Sequence, residues 1–178
     1  MAIFEILKYP DPFLKKKTQH VEIIGADIEK LIDDMTETMY FARGIGLAAN
    51  QVGVDKRVVV LDVPDEDEKK DYKKGENLIA IINPEIIEQD GKIKYEEGCL
   101  SVPGFNADVK RFASVKVRGL DKNGKGIEIY AEGLFAIALQ HEIDHLNGML
   151  FIDRLGRLKR EFIKKKILKA IEEERKRL

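Results

Sequence analysis

The chain has 178 residues, 44% of them hydrophobic, which is about the size of one domain and enough to bury a real core. Charged residues reach 35% yet nearly cancel to a net charge of -1, so the chain as a whole is no polyanion binder. No eighteen apolar residues follow one another, the opening MAIFEILKYPDP has no basic region ahead of its apolar run, and there is a single cysteine; no membrane span and no secretion signal are expected, and a reducing cytoplasm fits.

In chain order, Ala26 to Arg43 predicts an amphipathic helix, with Ile28, Leu31, Ile32, Met35, Met39 and Tyr40 at three- and four-residue steps and Gly44 where a helix stops. GIGLAANQVG (44–53) reads as a glycine-punctuated loop. Arg57 to Val63 is rich in β-branched residues and predicts a strand, followed by a charged loop over 64–77 to which the sequence assigns no role. A strand over Leu78 to Ile82 is expected to end at Asn83 and Pro84. EIIEQDGKIKYEE predicts a hairpin turning at Asp90 and Gly91, and SVKVRGLDKNGKGIEIYAE a second one around Asn123 and Gly124. Leu134 to Asn147 has helical periodicity and stops at Gly148. A last helix, roughly Arg157 to Lys176, carries Leu158, Phe162, Ile163, Ile167, Leu168 and Ile171 as its apolar residues. Helices bracketing a hairpin-rich middle predict an α+β fold, with residues 1–178 as one domain.

The central helix contains QHEIDH. Residues four apart lie on nearly the same helix face, so His141 and His145 can present ring nitrogens to one point, with Glu142 beside it. Imidazole suits Zn or Fe, and the carboxylate is placed to take a proton from water at such an ion. The alternative is two half-buried histidines and a solvated charge. A catalytic site of this kind typically has three protein ligands. The longer protease pattern would put a third histidine at position 151, which is Phe151; Glu161 or Glu172 to Glu174 are candidates that nothing singles out. The lone Cys99, in YEEGCLSVPG where a strand breaks into a loop, offers a thiolate that completes a three-ligand set for Zn or Fe(II). Its alternative is a small buried hydrophobe.

GIGLAANQ (44–51), EGCLS (97–101) and QHEIDH (140–145), in this order and spacing, resemble the three signatures of the peptide deformylases, and the likeness extends from KYPDP to FIDRL. The resemblance implies Cys99, His141 and His145 as metal ligands and Glu142 as acid/base. It implies the Gln51 amide and the Leu100 backbone N–H as donors to the formyl oxygen, where charge grows. One divalent ion per chain is implied, Fe(II) as native metal, with Zn, Ni or Co able to occupy the same ligands. Antiparallel β-sheets are then expected to pack around a central metal-binding HExxH helix, with an N-terminal and a C-terminal helix. The substrate implied is the N-terminal formylmethionine of nascent polypeptides, released as formate and a free amine.

Gly44 and Gly46 read alone as helix stop and turn; with the other motifs they leave room for substrate backbone. Glu97 and Arg111 resemble a family pair that buttresses the site, or are two independent surface charges. Leu134, Ile137 and Ala138 share the helix face of His141, and Ile45 and Tyr95 can complete an apolar pocket for methionine, although core packing explains a helix face equally well. Gly44, Ile45, Gly46, Tyr95, Glu97, Leu134, Ile137 and Ala138 thus make up the expected substrate side. Two positions depart from the family pattern or vary within it: Asn50 fills a variable slot, and Asn106 stands where some bacterial members have an arginine.

Residues 154–178 carry eleven basic and four acidic side chains, a charge of +7. Members of the resembled family dock on the ribosome through such a helix, and phosphate attraction supports the same expectation here. Two rival readings are a zinc endopeptidase of the HExxH type, needing a third ligand other than Cys99, and a non-catalytic ribosome- or RNA-binding module with a structural metal, needing a fourth protein ligand. His20 is expected at the surface.

Overall fold

Helix α1 (Ala26–Phe41) follows the predicted periodicity, burying Ile28, Leu31, Ile32, Met35 and Met39 along one face. The computed structural model describes residues 2–64 and 72–176, and of residues 174 and 175 the backbone alone. The helix ends two residues before the expected boundary. Arg43, not Gly44, takes the left-handed turn (φ 58°), and the amides of Arg43 and Gly44 close on the carbonyls of Tyr40 and Met39, at 3.1 and 2.9 Å. Gly44 is needed for space instead: a Cβ there would stand 2.8 Å from Leu100 Cδ1.

The expected loop 44–53 is a correction. It forms a three-residue strand β1 (Gly46–Ala48), a 3-10 turn (Ala49–Val52) and a left-handed Gly53 (φ 76°). Three residues beginning with glycine are too short for a period-2 signal; pairing with β2 (Val58–Asp62) makes the strand. β2 is buried on both faces: Val58 and Val60 pack with α1, Val59 and Leu61 with the second helix.

Strand β3 (Leu78–Asp90) does not stop at Asn83 and Pro84. The strand passes through them by a register shift between Ile82 and Glu85, so the amide that Pro84 lacks is not missed. Asn83 (φ 53°) holds the kink, its side chain bonding Val21 N and O at 2.9 Å each. The hairpin expected at Asp90–Gly91 is also corrected. There the chain turns a corner into β4 (Ile93–Glu97), which pairs with β5 (Ala107–Arg111) as a separate two-stranded sheet, while β3 pairs with β6 (Ser114–Leu120). An Asp-Gly signal is the same whether the next strand folds back or swings away; the distant partners β5 and β6 decide. The second predicted hairpin holds, as β6 and β7 (Gly126–Glu132) turning at Asp121–Gly124. The larger sheet is antiparallel, in the order β1-β2-β3-β6-β7.

Helix α2 (Gly133–Leu146) buries Ala136 to Gln140 and Glu142 to Leu146, the pattern of a helix enclosed all round. Its last carbonyl is taken by neighbours: Thr18 N and Oγ1 reach Leu146 O at 2.9 and 3.0 Å, and the buried Arg57 guanidinium reaches the same oxygen at 3.5 Å and the Asn147 side-chain oxygen at 3.0 Å. Cation and carbonyls match here because the helix dipole is negative at this end. Helix α3 (Arg157–Arg175) joins a third core of β5, Leu14 and the 3-10 turn Phe151–Arg154. Only Ile163, Ile167 and the half-buried Ile171 face it; Leu158, Phe162 and Leu168, expected among its apolar stripe, are exposed. Of the charged loop 64–77, residues 65–71 lie outside the described residues. Its described end is tied to Asp62, which accepts from Tyr40 Oη, Gly75 N and Asn77 N at 2.6, 2.7 and 3.1 Å. No described helix is long and apolar enough to cross a membrane.

Candidate active site

α2 and the loop after β4 bring three soft donors together. His145 Nε2 lies 3.2 Å from both His141 Nε2 and Cys99 Sγ, and the three atoms are within 4.8 Å of one another. Bonds of about 2.0–2.3 Å at tetrahedral angles separate two ligand atoms by roughly 3.3–3.6 Å, so this spacing fits one divalent ion. The ring orientations agree. Glu97 Oε2 meets His141 Nδ1 at 2.8 Å, a carboxylate contact that leaves Nε2 free to bind an ion. Cys99 Sγ accepts from Ser101 N at 3.4 Å, a donor suited to a thiolate.

Glu97 and Arg111 are not surface charges. They are 5% and 3% exposed and joined twice, Arg111 Nε to Oε1 at 2.6 Å and Nη2 to Oε2 at 2.8 Å. Burial alone would raise the Glu97 carboxyl, but the Arg111 guanidinium and the His141 ring hold it down at about 2. His141 is pulled down by burial and more than restored by the Cys99 sulfur and Glu97, so its imidazolium lies above the usual range. His145 is depressed, by burial first and then by the neighbouring cation of His141.

Glu142 is 5% exposed, and its Oε2 has no hydrogen-bond partner among the described residues. Burial pushes its carboxyl up to about 7, the neighbouring Glu97 adding to the rise and His141 opposing it. Such a group can both accept and return a proton near neutrality. Gly46 makes room for it: a Cβ there would stand 2.5 Å from Glu142 Oε1. We expect Gly46→Ala, which would displace Glu142 by about an ångström, to cut kcat by roughly 10²-fold. The obstructed atom ends a flexible side chain, so the melting temperature should stay within a few degrees. Turnover and melting of the metal-loaded variant check both, and wild-type turnover would refute the contact.

The site opens into a cavity of about 430 Å³. Ile45, Tyr95, Leu100, Leu134, Ile137 and Ala138 form its apolar wall, and Gly44, Gly46, Gln51, Glu97, Cys99, His141 and Glu142 also line it. The two readings of the α2 face are both true: Ala138 belongs to the core and Leu134 packs against it, while both face the cavity. His145 lies beneath, fully buried. Gln51 is aimed by its neighbours. Ala48 N donates to its Oε1 at 2.9 Å, so Nε2 faces Ser101 Oγ (3.1 Å) and Cys99 Sγ (3.7 Å). Asn106 is exposed, its Oδ1 only 2.6 Å from where a Gly98 Cβ would be.

Other residues were missed in the sequence. Asn50 Nδ2 bonds the His145 carbonyl, so its slot carries a structural contact. Asp144, three residues after His141, accepts from Arg111 Nη1 at 2.6 Å and from Arg154 Nη2 at 2.6 Å; its spacing from His141 was the available signal. Arg43, Glu96 and Gly98 also line the cavity. Where a third histidine would fall, Phe151 stacks on His141 with ring centroids 6.3 Å apart. Glu161 is exposed, and among the described residues no other His, Cys, Asp or Glu joins the three donors. His20 is exposed, as expected.

A sequence model of polypeptide deformylases matches residues 3–161. The chain is 56% identical over 166 residues to a peptide deformylase of Thermodesulfovibrio yellowstonii, covering 93% of this chain and 97% of that one. Among solved structures, a peptide deformylase from Legionella pneumophila superimposes with a TM-score of 0.87 at 46% identity, covering 97% and 98% of the two chains. One from Ehrlichia chaffeensis in complex with actinonin gives 0.86 at 44%, covering 96% and 98%. With a Cys-His-His donor set beneath an apolar cavity and likeness of this extent, the chain belongs to the polypeptide deformylase family.

Proposed function

We propose that this chain hydrolyses the formyl amide of N-terminal formylmethionine on nascent polypeptides, releasing formate and a free amine. The observation that carries the reading is the Cys99, His141 and His145 donor set beside an apolar cavity that Cys99, His141 and Glu142 line. A divalent ion held by these three ligands supplies Lewis acidity and lowers the pKa of water. We assign Fe(II) as the native ion; Zn, Ni and Co suit the same donors. Glu142 takes the proton of the attacking water and returns it to the departing nitrogen. The Gln51 amide and the Leu100 N–H donate to the formyl oxygen as it gains charge, which stabilises the transition state more than the substrate. Ile45, Tyr95, Leu134, Ile137 and Ala138 receive the methionine side chain, and Gly44 and Gly46 admit the substrate backbone. Glu97 with Arg111 holds the His141 ring from behind.

The test is formate release from a formyl-methionyl peptide by anaerobically purified protein, with metal assayed in the same sample. Release in proportion to bound metal is expected. A folded, fully metallated protein that releases none would sink the reading, and cleavage of internal bonds in unformylated peptides would favour the endopeptidase. The endopeptidase and the structural-metal module lack support, since neither a replacement third ligand nor a fourth ligand gathers among the described residues.

We read the chain as one domain, supported by the packing of Ile163 and Ile167 into the core shared with β5, and as cytoplasmic, where its substrate is made. The exposed basic face of α3 is read as the ribosome-docking surface through attraction to phosphate. Because Ile163 and Ile167 are core residues, charge reversal is a cleaner test than deletion. Reversing the exposed Lys165, Lys166 and Lys169 to glutamate should abolish co-sedimentation with ribosomes at low salt; undiminished, salt-insensitive binding would refute it.

A further inference from the structure

We propose that Arg154 is a positioning residue for His141, acting from the exposed end of a chain of ion pairs whose other members are buried. The proposal rests on the reading of Cys99, His141 and His145 as metal ligands. Asp144 is 5% exposed and both of its oxygens are engaged by arginine. Arg154 forks onto it, Nη2 to Oδ1 at 2.6 Å and Nε to Oδ2 at 2.5 Å, while Arg111 Nη1 shares Oδ2 at 2.6 Å. Arg111 directs its Nε and Nη2 to Glu97, whose Oε2 holds His141 Nδ1.

One buried guanidinium therefore serves two buried carboxylates. Glu97 has a second partner in His141, whereas Asp144 without Arg154 would have only its share of Arg111 in a water-poor interior, a costly arrangement. Arg154 gives Asp144 a cation of its own. Without it Asp144 draws Arg111 toward itself at the expense of Glu97, and Glu97 is the group that fixes the ring of His141. Charge balance at the protein edge is thus converted into ring position at the donor cluster. Arg154 is suited to this because its planar fork takes both Asp144 oxygens at once, which an ammonium does not.

A purely structural role is the competing account, since Arg154 ends the 3-10 turn Phe151–Arg154 and Phe151 stacks on His141. Lys15 separates the two, because it pairs with Asp153 on the same turn and touches none of the relay. The experiment loads wild type, Arg154→Met, Arg154→Lys and Lys15→Met with Co(II) without oxygen. It records cobalt stoichiometry, the visible ligand-field bands, the rate of cobalt release to a chelator, and thermal melting.

Arg154→Met should release cobalt roughly ten-fold faster, with shifted bands, the lower end of what losing an outer partner of a metal ligand costs. Arg154→Lys, which keeps the charge and should fold, should fall between Arg154→Met and wild type. Lys15→Met should lower the melting temperature and change release far less than Arg154→Met. Adding Asp144→Asn to Arg154→Met should slow release again, because Arg111 is no longer drawn from Glu97. Release from both Arg154 variants at the wild-type rate would overturn the proposal, as would equal acceleration in Lys15→Met. A wild type that takes up no cobalt would instead remove the metal reading beneath it, and the proposal with it.

Discussion

Glu142→Gln is expected to lower formate release by on the order of 10²–10⁴-fold, the contribution typical of a positioned general acid–base, while bound metal stays at the wild-type level. The amide has the same shape but neither accepts the proton from water nor returns it to the departing nitrogen. Metal should be retained because Glu142 is not among the three clustered donors Cys99, His141 and His145. Stability should not fall. The carboxylate is buried with one oxygen unpartnered, so removing its charge relieves a desolvation cost, and the variant should melt at or above the wild-type temperature. Release, metal content and melting are measured on one preparation. Full activity with metal retained would remove Glu142 from the chemistry, and loss of metal would make it a ligand instead.

Gly148→Ala is expected to be the most destabilising single-methyl change at the site's base. Gly148 has φ 73°, a conformation costing an L-residue roughly 1–2 kcal/mol, and the added Cβ would stand 2.3 Å from the Lys15 carbonyl oxygen. That obstacle is backbone, so a segment must move, typically another 1–3 kcal/mol. The two together, about 3 kcal/mol, lower the melting temperature of a chain this size by roughly 6–12 °C. Function should suffer too, because the displaced segment leads to Thr18, which caps the carbonyl of Leu146 next to His145. Thermal unfolding of the metal-free protein checks the first point and metal affinity the second; melting within a degree of wild type would refute the close approach.

Much of the site was legible in the chain because it is local. The four-residue step of His141 and His145, and Glu142 beside them, follow from helix geometry alone. The periodicity of α1 is of the same kind, and so is the β6–β7 turn. Cys99, Gln51 and Leu100 were different: residue physics left Cys99 open between ligand and buried hydrophobe, and the ordered motifs resembling a family raised it. Local rules also misled. Pro84 signals a strand end, yet a bulge absorbs it; Asp90–Gly91 signals a hairpin, yet it joins two sheets. On α3 the apolar pattern marked six residues for packing, and only three face the core.

The sequence by itself determined the helix that carries the two histidines, the α+β character and the family, since these depend on spacing and on motifs that the chain states directly. Only the tertiary structure decided that Cys99 closes on His145 across 46 positions, that Glu97 and Arg111 are buried partners, and that Asp144 and Arg154 extend them. Such contacts depend on which strand swings to which sheet. That choice is made by the summed burial of distant surfaces and leaves no periodic mark in any one segment.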